Sequence, residues 1–177
     1  MDNYIPIAYH SSYKLCLPKE HRFPMEKYEL LPRKLLDNGI SIETDFFLPD
    51  YPKTESIVEV HDKEYVSKLK NLKLSRSEIR RIGFPLSKEL IDREFLIAGG
   101  TIMGAIKALS HKISMNIAGG THHSFSNKGE GFCLLNDQAI AAKYLLKNNN
   151  INKILIIDLD VHQGNGTASI FKSNKQV

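Results

Sequence analysis

The sequence predicts an α/β fold built on a parallel sheet. Three observations carry that prediction. Residues 113–118 and 153–159 (KILIIDL) are short apolar runs, and the second is nearly continuous, as expected of a strand buried on both faces. Between them, Asn136 or Asp137 caps a helical pattern through Ala139, Ile140, Ala142, Tyr144, Leu145 and Leu146. Strand, helix and strand follow in an order and length that suit a right-handed parallel crossover. Finally, 177 residues with 42% hydrophobic and 25% charged content suit one ordinary globular domain and exclude a disordered or collagen-like chain.

The remaining elements follow in order. Residues 4–9 are apolar ahead of His10 and two serines and read as a strand. Pro24 opens a helical pattern through Met25, Tyr28, Leu31, Leu35 and Leu36, which Asn38-Gly39 closes. Pro32 lies inside it and predicts a kink or an early break. Residues 42–52, rich in aromatics and proline, read as an irregular packed segment or a short strand. Tyr65, Val66, Leu69 and Leu72 share one face of a helix over 62–74, and 75–82 adds another turn or two. Pro85 and Ser87 introduce a longer helix ending near Leu109. Gly99, Gly100 and Gly104 weaken that helix, so they predict close packing against a neighbour. Asn148-Asn149-Asn150 stops the helix before the last apolar run.

Charge and cysteine content narrow the function. The net charge is +4, but the basic residues are scattered beside acidic ones, and the densest stretch, 76–81, is interrupted by Ser77, Glu78 and Ile79. A solvated helix face accounts for it, and no direct nucleic-acid partner is expected. The start, Met1-Asp2-Asn3-Tyr4, has no basic leader region, and no run reaches the roughly 18 apolar residues that span a membrane. Cys16 and Cys133 are too few and too far apart for a disulfide scaffold. The expectation is a cytoplasmic protein with no membrane partner.

Both strands of the crossover end in unusual chemistry. The first runs into Gly-Gly-Thr-His-His-Ser-Phe at 119–125, the second into Asp158-Leu159-Asp160-Val161-His162 and then Gln-Gly-Asn-Gly at 163–166. Parallel pairing places both tips on one sheet edge, where ligands of such sheets bind. Alternation along an extended chain turns Asp158, Asp160 and His162 to one side. Two carboxylates and an imidazole there suit zinc, with iron or cobalt also accommodated; alternatively the aspartates cap helices and His162 is a solvated histidine. His122 and His123 are neighbours pointing in different directions, so both do not ligate one ion. Beside a metal they suit acid–base work. Phe132 is either core or a channel wall, and Cys133 reads as a small buried hydrophobe.

Gly-Gly-Thr-His-His-Ser-Phe, Gly-Phe-Cys-Leu-Leu-Asn-Asp (131–137) and Asp-Leu-Asp-Val-His-Gln-Gly-Asn-Gly-Thr (158–167) occur in that order. Together they resemble the zinc-dependent histone deacetylase family, in a form most similar to its class IV branch and bacterial relatives. The resemblance is densest over 97–171 and extends weakly to His21-Arg22-Phe23-Pro24 and the helix after His61. It implies the three-layer αβα fold of arginase/deacetylase type. By position, it makes Asp160 and His162 two of three zinc ligands and His122 and His123 the catalytic pair. Asp158 becomes the carboxylate partner of His122, and Asn165 the neutral partner of His123 where many members carry aspartate. Gly131 and Phe132 become one wall of an acyl-lysine tunnel, and Arg22 an arginine near its inner end. The backbone carbonyls of Asp158, Asp160 and His162 become a potassium site.

The implied chemistry is metal-assisted hydrolysis of an amide, with Zn2+ or Fe2+ as the catalytic ion, K+ as a second ion, and an acetylated lysine peptide or protein as substrate. The family's third ligand, an aspartate, and its oxyanion-donating tyrosine would lie downstream of Val177. The expectation is therefore one incomplete domain over 1–177, its sheet ending after the strand that closes on Asp158-Leu159-Asp160, inactive and weak in zinc binding by itself. An acetylated polyamine or other small acyl-amine is an alternative substrate. An inactive fragment or a phosphate or nucleotide binder using Gly164-Asn165-Gly166-Thr167 are readings of another class, the latter weakened by the absent Gly-Lys-Ser/Thr.

Overall fold

A computed structural model of the chain describes residues 4–177. Met1-Asp2-Asn3, on which the reading of the N-terminus partly rests, lie outside the described residues. Three short strands form a parallel sheet: β1 (Ile7–Ala8), β2 (Phe46–Phe47) and β3 (Met115–Asn116). Their order is β2-β1-β3, with Ile7 opposite both Phe46 and Met115. The helices are α1 (Lys27–Asp37), α2 (Thr54–Val58), α3 (Lys63–Lys70), α4 (Arg76–Ile82), α5 (Lys88–His111), α6 (Asp137–Asn148) and α7 (Asn165–Phe171).

The axis of the core is α5. Ser87 starts it by accepting the Leu90 amide at 3.2 Å, and Leu90, Phe95, Leu96, Ile97 and Ile102 are buried along it. It packs on α6, β1 and β3. The glycines do what the sequence predicted: a Cβ at Gly99 would sit 1.8 Å from the Asp50 carbonyl oxygen, so the 50–52 segment lies directly on the helix. Arg93 and Glu94, both buried within α5, form an ion pair, and the Arg93 Nε also donates to the Tyr13 carbonyl at 2.7 Å. In α4, Ser75 and Glu78 form a reciprocal capping box.

The structure departs from the sequence reading in three places. α1 runs unbroken through Pro32, the sixth of its eleven residues, whose ring is buried; one missing amide in mid-helix is tolerated where the ring gains packing. α2 is a five-residue helix too short to show a period. The third correction matters most. Residues 153–159 belong to no ladder, and β3 pairs with β1 instead. Ile154 and Ile156 pack against the core, but Leu155, Ile157 and Leu159 are 82%, 69% and 91% exposed. Apolar continuity predicted burial on both faces; one face is covered and the other is open.

Candidate active site

The loop after β3 turns sharply. Gly119 has φ +113°, and a Cβ there would sit 2.4 Å from the Asp137 carboxylate. That buried carboxylate accepts the Thr121 amide at 2.9 Å, the Thr101 hydroxyl at 2.6 Å and the Gly120 amide at 3.3 Å, tying the turn to α5 and α6. The next two residues are the histidines. Their rings lie 4.3 Å apart at 53°, close together but differently directed.

Each histidine is anchored through Nδ1. The His122 Nδ1 lies 2.6 Å from Asp158 Oδ2, and His123 Nδ1 lies 2.7 Å from Asn165 Oδ1. Because Oδ1 of Asn165 also accepts the Gly166 amide at 2.9 Å, it must be the oxygen, and His123 Nδ1 must carry the proton. A carboxylate accepts only, so His122 Nδ1 is likewise a donor while Asp158 is ionised. The hydrogen bond from His122 and then the Asp160 amide hold Asp158 below the usual carboxylate range. Among the described residues, neither Nε2 makes a hydrogen bond.

The side chains of Asp160 and His162 lie against each other through a local turn rather than through strand alternation. Asp160 Oδ1 accepts the His162 amide at 2.7 Å and lies 3.0 Å from His162 Nδ1, and these contacts hold the Asp160 carboxyl below its ordinary range. The His162 ring is 6.1 Å from that of His123. The tips converge although 153–159 is not in the ladder. The bond that joins them is His122 to Asp158, across 36 positions of sequence. One carboxylate and one imidazole suit zinc in kind but fall short of the three protein ligands of a catalytic site. Among the described residues no group of three metal-binding side chains forms.

A cavity of about 380 Å³ opens over this centre, lined in part by His122, His123, Gly131, Phe132, Asp160 and His162. Phe132 stands in its wall with φ +66°, a left-handed conformation costly for a bulky residue. The Gly131 and Phe132 amides donate to the Arg81 and Ile82 carbonyls at 3.1 and 2.7 Å and hold it there. Arg22 lies over the Phe132 ring, 5.0 Å from its centroid; the cations that line the cavity are Lys27 and Arg93. Burial pushes the Cys133 thiol up to about 12, which removes it as a nucleophile at neutral pH.

The profile of the histone deacetylase domain matches residues 21–177. The chain belongs to the histone deacetylase family. An uncharacterised protein of Picosynechococcus sp. is 42% identical over 172 residues, covering 97% of this chain and 57% of that protein. Histone deacetylase 2 of Arabidopsis thaliana is 30% identical over 92% of this chain and 44% of its own length. The family's fold is confirmed by a crystal structure of an HDAC homologue from Aquifex aeolicus, with TM-score 0.81 and 25% identity over 97% of this chain and 49% of that one. The chain thus spans about half the length of the relatives it matches.

Sequence reasoning missed the residues that hold the tips together. His61, 1% exposed, has Nδ1 2.9 Å from the Phe125 carbonyl, and its Nε2 accepts the Asn136 amide at 3.0 Å. Asn136 caps α6 as predicted, but its Nδ2 also donates to the Ser124 carbonyl and to Thr167 Oγ1 at 3.1 and 2.9 Å. The Thr167 amide donates to the His122 carbonyl at 3.1 Å. These bonds span long separations and end mostly on backbone atoms, which no residue pattern reveals.

Proposed function

We propose that this chain carries the paired histidines and two metal ligands of an amidohydrolase that removes acetyl groups from lysine side chains. One observation carries the reading. Two imidazoles are fixed through Nδ1, with both Nε2 atoms uncommitted, beside the facing side chains of Asp160 and His162. Zinc, when bound, supplies Lewis acidity to the acyl carbonyl and to a water; iron is the alternative ion. His123, whose Nδ1 proton is held by a neutral amide, accepts the water's proton at Nε2. His122, whose Nδ1 donates to Asp158, supports proton delivery to the leaving amine. Phe132 and Gly131 flank the acyl chain. The backbone carbonyls of Asp158, Asp160 and His162 are the groups that would hold a potassium ion in this reading. No described helix is long and apolar enough to cross a membrane, and neither cysteine is paired; both fit a cytoplasmic setting.

The test has two arms. The 177-residue chain by itself, offering two donors, is expected to retain well under one zinc per chain after dialysis. A protein uniting this chain with a downstream half is expected to release acetate from an acetyl-lysine peptide, and His123→Ala to lower turnover by roughly 10²–10⁴-fold. Turnover indifferent to His123→Ala sinks the assignment, and faster turnover of acetylpolyamines makes the small-amine reading the better one.

A further inference from the structure

We propose that Asp137 is a positioning residue for the histidine pair, held from behind by a buried polar chain that reaches back through Thr101 and Asn116 to Tyr13. The turn that carries the histidines has little shape of its own. Gly119 and Gly120 both have positive φ, +113° and +71°, and glycine visits such conformations about as readily as their alternatives. Something outside the turn must select one of them. Asp137 does so from the first residue of α6. It is buried, and no lysine or arginine pairs with it among the described residues. Donors meet its charge instead: the Thr121 and Gly120 amides on the histidine loop and the Thr101 hydroxyl on α5. A buried carboxylate stripped of these donors would be costly, so the carboxylate and the turn fix each other.

Thr101 is anchored in turn. Its Oγ1 accepts from Asn116 Nδ2 at 2.9 Å, and Asn116 Oδ1 accepts the Tyr13 hydroxyl at 3.0 Å. Each bond from Tyr13 onward donates toward Asp137, the polarity that an anion at one end of a hydrogen-bond chain favours. Glycine makes room for the chain at both ends. A Cβ at Gly100 would sit 2.4 Å from the Tyr13 hydroxyl and 2.9 Å from Asn116 Nδ2, just as one at Gly119 would strike the Asp137 carboxylate. Gly100 thus serves this chain, whereas Gly99 beside it serves packing against the 50–52 segment. Thr121, His122 and His123 line the cavity. Asp137 bonds the turn rather than the imidazoles, so it acts through the backbone that carries them. The positioning is geometric; its bearing on turnover rests on the deacetylase reading.

Carbon-edited NMR of the 177-residue chain, read at the rings of His122 and His123, tests this without any turnover. Thr101→Val keeps the shape of the side chain, removes the hydroxyl that joins Asn116 to Asp137, and alters no group on the histidine loop. It should shift both ring signals while the circular dichroism stays that of the wild type. Asp137→Asn, which puts an amide N–H₂ where one oxygen accepted donors, should shift them further. Ile57→Val is the control. It trims a fully buried core side chain outside the polar chain, so it should lower the thermal midpoint and leave both rings where they were. Two results overturn the proposal: rings unmoved by Thr101→Val and Asp137→Asn, or rings that Ile57→Val moves as far as they do. In a protein uniting this chain with a downstream half, Thr101→Val should lower kcat on an acetyl-lysine peptide roughly 10–100-fold with KM little changed. Shifted rings with unaltered turnover uphold the positioning and count against the deacetylase reading. Unmoved rings in a protein that still loses turnover on His123→Ala overturn the positioning alone.

Discussion

His61 shows how one buried side chain can govern a site it does not line. Its imidazole bridges the Phe125 carbonyl and the Asn136 amide, one on each segment that frames the histidine pair, and only the neutral ring can donate at Nδ1 while accepting at Nε2. Burial lowers its pKa from 6.5 to about 4. The unfolded chain therefore binds this proton more readily, and the stability contributed is full above pH 6.5 and lost as pH falls toward 4. Glu94 acts in the opposite sense: burial raises it to about 7, so its share is full at low pH and lost as pH rises. Because Glu94 is unchanged in a His61→Gln variant, the difference between the two proteins isolates His61. Urea unfolding at pH 7.5, 6 and 5 should show the wild type losing on the order of 2 kcal/mol more than the variant across that range; equal pH slopes would refute the bridge. The His122–Asp158 and His123–Asn165 contacts were legible because the family resemblance names both partners by position. His61 was not, because its partners are backbone atoms 64 and 75 positions away.

Among the elements, the helices with a long apolar period or a clear cap, α5 and α6, could be read from sequence, since their stabilisation is local and repeats every turn. The strands could not be delimited. Each spans two residues, and a ladder of that size is defined by its neighbours rather than by its own pattern. The N-terminus of α6 links the two scales. Asn136 accepts the Ala139 amide at 3.0 Å, the usual cap, and adds the bonds to Ser124 and Thr167 that fasten the histidine loop to the start of α7. An Asn136→Ala change leaves three partners unmet, so it should cost about 2–4 kcal/mol, more than the ~1 kcal/mol of a cap alone. It should also weaken the His122–Asp158 contact, read as loss of the downfield Nδ1 proton resonance in NMR spectra. A cost near 1 kcal/mol with that resonance intact would reduce Asn136 to an ordinary cap. Gly119→Ala tests the adjoining turn: at φ +113° with the Asp137 carboxylate 2.4 Å from the new Cβ, thermal unfolding should register a loss of roughly 2 kcal/mol or more.

At the scale of the whole molecule, stability is unevenly distributed, and the boundary runs through the site. Tyr13, Ile57, Leu90, Ile97, Leu134 and Ile140 are buried in one continuous core around α5, whereas 155–161 touches it through one face only. The KILIIDL run carries the composition of an interior strand because apolar content records the environment a segment is suited to, while the fold of this chain leaves half of that environment unfilled. Backbone amides without partners have no local barrier to exchange, and amides in a packed helix exchange only when the core opens. Hydrogen exchange of the isolated chain should therefore find residues 155–159 unprotected within the first seconds and residues 90–102 of α5 the slowest to exchange. Asp158 and Asp160 lie at the end of the fast segment, while His122 and His123 are fastened to the slow core through Asp137, Asn136 and His61. The two halves of the proposed site thus differ in rigidity. Protection of 155–159 equal to that of α5 would show that these amides are paired and that the molecule has no such boundary.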